Sequence, residues 1–154
     1  MTKLFLDTNV ILDIYLPGRP GKEAARSILD LREACPEEIR LHLSFLSVAN
    51  IAYVLQKHLP RTRIREVLRD LFRLCQPVAM SDQLLFGALD SSCRDYEDAL
   101  QIACAEADYC DFILTSNLRD FRGCTRVPVM TPAEFLARLA AGQEGVSSPG
   151  EDLV

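Results

Sequence analysis

The stretch from Lys3 to Asn9 constrains the fold more than any other part of the chain. Its apolar run, Leu4–Leu6, ends in Asp7, and a new apolar pattern begins at Val10. Because the run has no polar face, it predicts a buried central strand of a parallel sheet. Ligands of open α/β sheets bind beyond the carboxyl ends of the strands, where the strand order reverses. Asp7 is therefore either a metal-binding acid at that edge or the N-cap of the next helix.

The composition is that of one ordinary globular domain. The chain has 154 residues, of which 49% are hydrophobic and 25% charged, with a net charge of −5. This charge argues against nucleic-acid binding over the whole surface but allows a local basic patch. We expect no membrane span and no signal peptide, since no apolar run is long enough. The six cysteines form no C-x-x-C pair, which favours reduced thiols and a cytoplasmic location.

Apolar spacing predicts strands that alternate with helices. We expect strands at 3–6, 39–44, 77–80, 112–115 and 128–130, and helices at 10–16, 23–34, 47–59, 62–74, 82–89, 95–107 and 132–140. Such an order predicts an α/β fold whose central, mostly parallel sheet of four or five strands is covered on both faces. The domain is expected to span 1–141. The Gly-, Ser- and acid-rich segment 142–154 is predicted to be a disordered tail.

Three acids, Asp95, Glu97 and Asp98, begin a predicted helix of small and apolar residues. Two interpretations are open for them. Asp95 is a suitable N-cap, and the other two complement the helix dipole, each by about 0.3–1 kcal/mol. Alternatively, a buried helix that begins with three acids presents them to a ligand.

Polar residues also follow the fourth predicted strand. Asn117 there is a suitable N-cap, and Asp120 lies at the acid position of a capping box. If the first and fourth strands are neighbours, Asp7 and Asp120 approach each other where the strand order reverses. Carboxylates in one cleft raise each other's pKa unless a cation binds between them. Their oxygen atoms suit Mg²⁺ or Mn²⁺.

Four short motifs occur in order along the chain: LDTNVILD at 6–13, SxxNxAYV at 47–54, DYEDAL at 95–100 and TSNxxDF at 115–121. Together they resemble the PIN-domain family, especially its VapC-like toxins, over residues 3–137. The resemblance implies a three-layer α/β/α sandwich that hydrolyses RNA phosphodiester bonds with Mg²⁺ or Mn²⁺, needing no side-chain nucleophile. It also implies RNA as substrate, and a cognate antitoxin and a homodimer as candidate partners. The residues that match the family's metal-coordinating acids are Asp7, Asp98 and Asp120; those that match its polar support residues are Thr8, Ser116 and Asn117.

The sequence departs from the family at Asn50, where many members carry a glutamate. An asparagine removes one negative charge, which lowers metal affinity unless Asp95 or Glu97 replaces it. We expect Ser47 to cap this helix, which places Asn50 in the first turn, facing the end of the first strand. The alternative function is a degenerate domain that binds nucleic acid or protein without catalysis.

An arginine-rich segment begins at Arg61 and continues through Arg63 and Arg65. These residues either hold RNA phosphates or form a solvated helix face with Glu66 and Asp70 as partners. A third function class, a phosphoaspartate receiver with Asp7 as acceptor, would need a lysine at a late strand end. The fourth predicted strand ends without one, and lysine occurs only at positions 3, 22 and 57.

Overall fold

A computed structural model describes residues 1–144 of the chain, with five strands in one sheet. The spatial order is β3-β2-β1-β4-β5, and every neighbouring pair is parallel. This confirms the predicted α/β fold with a parallel sheet. The strands are β1 (Thr2–Leu6), β2 (Ile39–Ser44), β3 (Cys75–Val78), β4 (Phe112–Leu114) and β5 (Val129–Met130).

Eight helices connect and cover these strands within the described residues. They are α1 (Thr8–Tyr15), α2 (Lys22–Ala34), α3 (Phe45–Leu55), α4 (Arg61–Leu74), α5 (Asp82–Leu89), α6 (Tyr96–Ala107), α7 (Leu118–Phe121) and α8 (Pro132–Glu144). None of the helices in residues 1–144 has the length and apolar character needed to cross a membrane.

Alternation along β1 divides the core between the two faces of the sheet. Leu4 and Leu6 are fully buried and pack into the larger apolar cluster, which includes residues of α1, α2, α3, α4 and α8. Phe5 points to the opposite face, where it packs with Ile102 of α6 and Phe121 of α7. Burial on both faces explains why this strand has no polar position between residues 4 and 6.

The strand order reverses between β1 and β4. The chain runs outward from β1 through β2 to β3, then returns to β4 on the other side of β1. The amide of Asp7 donates to the carbonyl of Leu114 over 3.0 Å, so the carboxyl ends of β1 and β4 lie side by side. This edge is where ligands of such sheets bind.

Several element boundaries differ from the sequence-based expectation: β3 lies at Cys75–Val78 and not at 77–80, and α3 ends at Leu55 and not at 59. Helix α3 begins at Phe45 and is capped by Ser44, whose side chain accepts from the amide of Ser47 over 3.0 Å. The cap is therefore not Ser47, because an earlier serine already occupies the strand-to-helix turn. Helix α8 continues to Glu144 instead of ending near residue 140. The remainder of the predicted tail, 145–154, lies outside the described residues.

Candidate active site

Asp7 lies directly after β1 and is 3% exposed. Although it occupies the N-cap position of α1, its side chain makes no capping hydrogen bond. Its Oδ2 accepts instead from Oγ1 of Thr115 over 2.9 Å and from Nδ2 of Asn9 over 3.5 Å. Burial raises the pKa of Asp7 to about 6, and the Thr115 hydrogen bond partly opposes that rise. Thr115 and Asn9 therefore orient the Asp7 carboxylate, which does not cap α1.

Asp98 lies in the first turn of α6, opposite Asp7. Burial is the largest cause that raises its pKa to about 7, and the charges of Asp7, Asp95, Asp120 and Glu97 add to it in that order. Five acids therefore lie close enough for their charges to interact, near the edge where the strand order reverses. An isolated group of this kind is electrostatically unfavourable until a cation neutralises it.

Asp95 is the N-cap of α6. Its Oδ1 accepts from the amides of Glu97 and Asp98, over 2.8 Å and 3.2 Å. These hydrogen bonds agree with the interpretation of Asp95 as the N-cap of α6. By fixing the first turn of α6, the cap also sets the direction in which the next two carboxylates project.

Asn117 and Asp120 lie together after β4. Asn117 Nδ2 donates to Oδ2 of Asp120 over 2.5 Å, and the Asn117 amide donates to Oγ1 of Thr115 over 3.0 Å. Asn117 makes no side-chain cap to α7, so it orients the Asp120 carboxylate instead. Thr115, a residue that the sequence analysis did not select, bonds both to the Asn117 amide and to the carboxylate of Asp7.

Asn50 contacts the acidic group through Glu97. Its Nδ2 donates to Oε1 of Glu97 over 2.6 Å. Both residues line a cleft of about 280 Å³ that also includes Thr8 and Asn9. Because α3 begins at Phe45, Asn50 lies in the second turn and not in the first.

Thr8 belongs to a buried polar network beneath the cleft. Its Oγ1 lies 2.9 Å from Oγ of Ser47 and accepts from Nε2 of Gln101 over 3.0 Å. Oε1 of Gln101 accepts from Ser44 over 2.8 Å and from Ser47 over 3.2 Å. Gln101 is fully buried, and the sequence analysis missed it. The sequence pattern that could have indicated Gln101 is its position as the one polar residue in the apolar stretch 99–105 of α6.

Ser116 does not point toward the acidic group. Its hydroxyl donates to Oδ2 of Asp13 over 2.6 Å. Asp13 is 4% exposed and also lies 3.6 Å from Nη1 of Arg19. Gly21 also packs closely against this carboxylate. A side chain at residue 21 would place its Cβ atom 2.5 Å from Asp13 Oδ2, so the position favours glycine. Ser116 therefore ties the segment after β4 to α1.

The arginines of α4 are exposed. Arg63 pairs with Glu66 over 2.9 Å, as the solvated-face interpretation predicts. Arg61 and Arg65 line a groove between α3 and α4 together with Gln56. Within residues 1–144, none of the three arginines makes a hydrogen bond or ion pair with the acidic group.

The donor set of the acidic group fits a hard divalent cation. Every candidate ligand atom of Asp7, Asp98, Asp120 and Glu97 is a carboxylate oxygen, the type that Mg²⁺ and Mn²⁺ prefer. Among the residues that the structure describes, no lysine, arginine or histidine forms an ion pair with Asp7, Asp98 or Asp120.

A comparison with protein families finds a match over residues 3–119 to the family described as "PIN domain". This range includes β1 to β4 and the first residues of α7, and thus most of the acidic group. No curated protein sequence matches the chain significantly.

Several solved structures share the fold at low sequence identity. VapBC2 from Rickettsia felis, bound to a DNA fragment from its promoter, has a TM-score of 0.66 at 14% identity, covering 84% of this chain and 98% of the other. A toxin–antitoxin complex from Klebsiella pneumoniae has a TM-score of 0.60 at 20% identity, covering 84% and 97%. VapC20 from Mycobacterium tuberculosis, described as a sarcin–ricin loop cleaving toxin, has a TM-score of 0.60 at 15% identity, covering 81% and 98%.

Proposed function

Because this chain belongs to the PIN-domain family, we propose that it is a divalent-metal-dependent endoribonuclease. The observation that carries the proposal is the position of Asp98, whose pKa is raised to about 7 by burial and by four neighbouring carboxylates. This group lies where β1 and β4 end, at the ligand-binding edge of the sheet. A site of this kind is suited to hydrolysis assisted by a hard cation.

Asp7, Asp98 and Asp120 are the residues that would hold Mg²⁺ or Mn²⁺. When bound, the ion supplies Lewis-acid activation of water and neutralises charge on the phosphate. Glu97 supplies a further carboxylate beside Asn50, which compensates for the missing glutamate of the family pattern. The chain's own residues then set the orientation of these ligands.

Hydrogen bonds from outside the acidic group fix its geometry. Thr115 orients Asp7, and Asn117 orients Asp120. The Asp95 cap fixes the turn that carries Asp98. Supporting partners of this kind raise metal affinity, and their loss typically costs 10-fold to 100-fold.

RNA is the proposed substrate, and a cognate antitoxin is the proposed partner. Support comes from the toxin–antitoxin complexes and the ribonucleolytic toxin that share the fold. The exposed side chains of Arg61, Arg63 and Arg65 provide positive charge for RNA phosphates on a chain that is acidic overall.

Cleavage of a mixed RNA pool, with and without Mg²⁺ or Mn²⁺, tests the proposal. We expect divalent-dependent cleavage by the wild type and none by Asp7→Asn, with both proteins folded. Asp30→Asn is the matched control, since Asp30 is an exposed acid of α2 outside the acidic group. Equal cleavage by wild type and Asp7→Asn would contradict the assignment of the active site.

A second candidate function is a binding module that has lost catalysis. Asn50, in place of the family's glutamate, is the observation that favours it. Calorimetric titration of Mn²⁺ separates the two functions. A nuclease binds the ion and loses binding in Asp7→Asn, whereas a degenerate domain binds it in neither protein and cleaves no RNA.

A further inference from the structure

A second group of metal-ligating side chains lies away from the acidic group. His42 is on β2, Asp108 follows α6, and Cys110 precedes β4. Nδ1 of His42 is 2.7 Å from Oδ2 of Asp108, and Sγ of Cys110 is 3.9 Å from the same oxygen. One ligand atom from each residue lies within 4.8 Å of the others. Ligand atoms around a tetrahedral ion bound at about 2.0–2.3 Å lie roughly 3.3–3.6 Å apart, so ion binding would widen the 2.7 Å contact and shorten the 3.9 Å contact by a few tenths of an ångström.

His42 is buried without a hydrogen bond. Its side chain is 2% exposed, and within the described residues neither ring nitrogen makes a hydrogen bond. Nδ1 approaches Asp108, but the geometry is not that of an N–H donor directed at an acceptor. Leaving a buried polar group unsatisfied costs about 1–3 kcal/mol. A cation bound between His42 and Asp108 would give Nδ1 a directed partner in place of this contact, whereas Nε2 would stay unpartnered.

We propose that His42, Asp108 and Cys110 bind one Zn²⁺ ion. Sulfur, imidazole nitrogen and carboxylate oxygen are the three ligand types that zinc accepts, and three protein ligands leave a fourth position for water. A thiolate ligand distinguishes this group from the carboxylates beside Asp7, which suit harder ions. On binding, Cys110 releases its thiol proton to solvent and donates the sulfur lone pair to the ion.

Lys3 accompanies the group in the metal-free protein. Its Nζ donates to the main-chain carbonyl of Asp108 over 2.9 Å and lies 3.8 Å from Oδ2 of that residue. The Lys3 side chain is 31% exposed, so it can turn toward solvent when an ion takes its place beside the carboxylate. Once Lys3 has turned away, a thiolate and a carboxylate balance the charge of one divalent ion.

The proposed zinc site is separate from the acidic group. Asp98 and Asp108 lie near opposite ends of α6, and ten residues of helix span about 15 Å. An ion held at the far end would fasten the C-terminus of α6 and the start of β4 to β2. This role is structural, and it does not depend on the proposed ribonuclease activity.

Cobalt titration of the metal-free, reduced protein tests the site. Co²⁺ replaces Zn²⁺ in such sites, and a thiolate ligand gives it a near-ultraviolet charge-transfer band that carboxylates alone do not. We expect this band in the wild type at one equivalent of Co²⁺, and its displacement by Zn²⁺. Cys110→Ser should abolish the band. Cys93→Ser should leave it intact; this is the matched control, because the Cys93 thiol lies beside Asp120, 3.9 Å from its carbonyl oxygen.

Asp108→Asn provides a second variant if Cys110→Ser fails to fold. It keeps the thiolate but removes a charged ligand, so we expect the band to persist with at least about tenfold weaker Co²⁺ affinity. Absence of the band in the wild type would overturn the proposal. A band that survives in Cys110→Ser would also overturn the proposal. A band that disappears in Cys93→Ser would overturn it too, because it would locate the ion at the acidic group. The result of the cobalt titration is independent of the result of the RNA-cleavage assay, so the two proposals are tested separately.

Discussion

Asn50 donates a hydrogen bond from Nδ2 to Oε1 of Glu97 over 2.6 Å, joining the second turn of α3 to the first turn of α6. The bond gives the exposed carboxylate of Glu97 a partner beside the other acids. The family resemblance implies that many members carry a glutamate at the position of Asn50. We propose that Glu97 supplies this charge from α6.

Replacing Asn50 by glutamate should tighten divalent-ion binding. The new carboxylate faces Glu97 and adds a negative charge to the group, and metal affinity rises with ligand charge. We expect about tenfold tighter Mn²⁺ binding in Asn50→Glu, measured by calorimetric titration. The gain should disappear in the Asp7→Asn background. Ala49→Glu, which places an acid on an exposed neighbouring position of α3, should have little effect; equal affinity of Asn50→Glu and wild type would place residue 50 outside the site.

The metal-free protein should lose stability as the pH rises from about 4 to about 7. The pKa of Asp98 is 3.8 as a reference and about 7 in the fold, and that of Asp7 rises to about 6. Between these values the folded state binds more protons than the unfolded state, so the free energy of unfolding falls with rising pH. Asp98→Asn should flatten this decline in thermal melts recorded without metal. Saturating Mg²⁺ should reduce it in the wild type; a wild-type melting temperature that rises over this interval would contradict the account.

The location of the acidic group followed from the sequence because strand ends are local features. An apolar run that stops at Asp7 fixes where β1 ends, and parallel strands place their carboxyl ends on one edge. Asp98 and Asp120 could be predicted as neighbours of Asp7 from that rule together with the family resemblance. The sheet order that the rule required, with β4 beside β1, is observed.

Contacts between side chains of different elements could not be predicted in the same way. The Asn50–Glu97 bond depends on the rotation of two helices, which sequence spacing within either helix does not determine. The sequence analysis also favoured Ser47 as the cap of α3, whereas Ser44 occupies that position. His42 is remote in sequence from Asp108 and Cys110. Only the packing of α6 across β2 brings them together.

The buried network beneath the cleft should contribute to stability. Gln101 bonds to Thr8, Ser44 and Ser47, all of which are buried. Gln101→Leu keeps the volume but removes these partners, so we expect the free energy of unfolding to fall by about 1–3 kcal/mol. Urea denaturation measures this change. Gln83→Leu, at an exposed position of α5, is the control and should change stability by about 0.5 kcal/mol or less; a similar loss in both variants would show that the network contributes nothing specific.

Thr115 should tune the pH at which the site binds its ion. Its hydroxyl donates to Asp7 over 2.9 Å and lowers the pKa of that carboxyl against the effect of burial. Thr115→Val removes the donor while keeping the shape, so the pKa of Asp7 should rise above its present value of about 6. Since Mn²⁺ competes with the proton on Asp7, we expect its affinity to fall several-fold near about pH 6 and much less near about pH 8. Thr115→Ser retains the hydroxyl and should keep the wild-type pH profile in calorimetric titrations. A uniform loss of affinity at both pH values in Thr115→Val would mean that the residue acts by packing or by holding Asn117, and not through the proton equilibrium of Asp7.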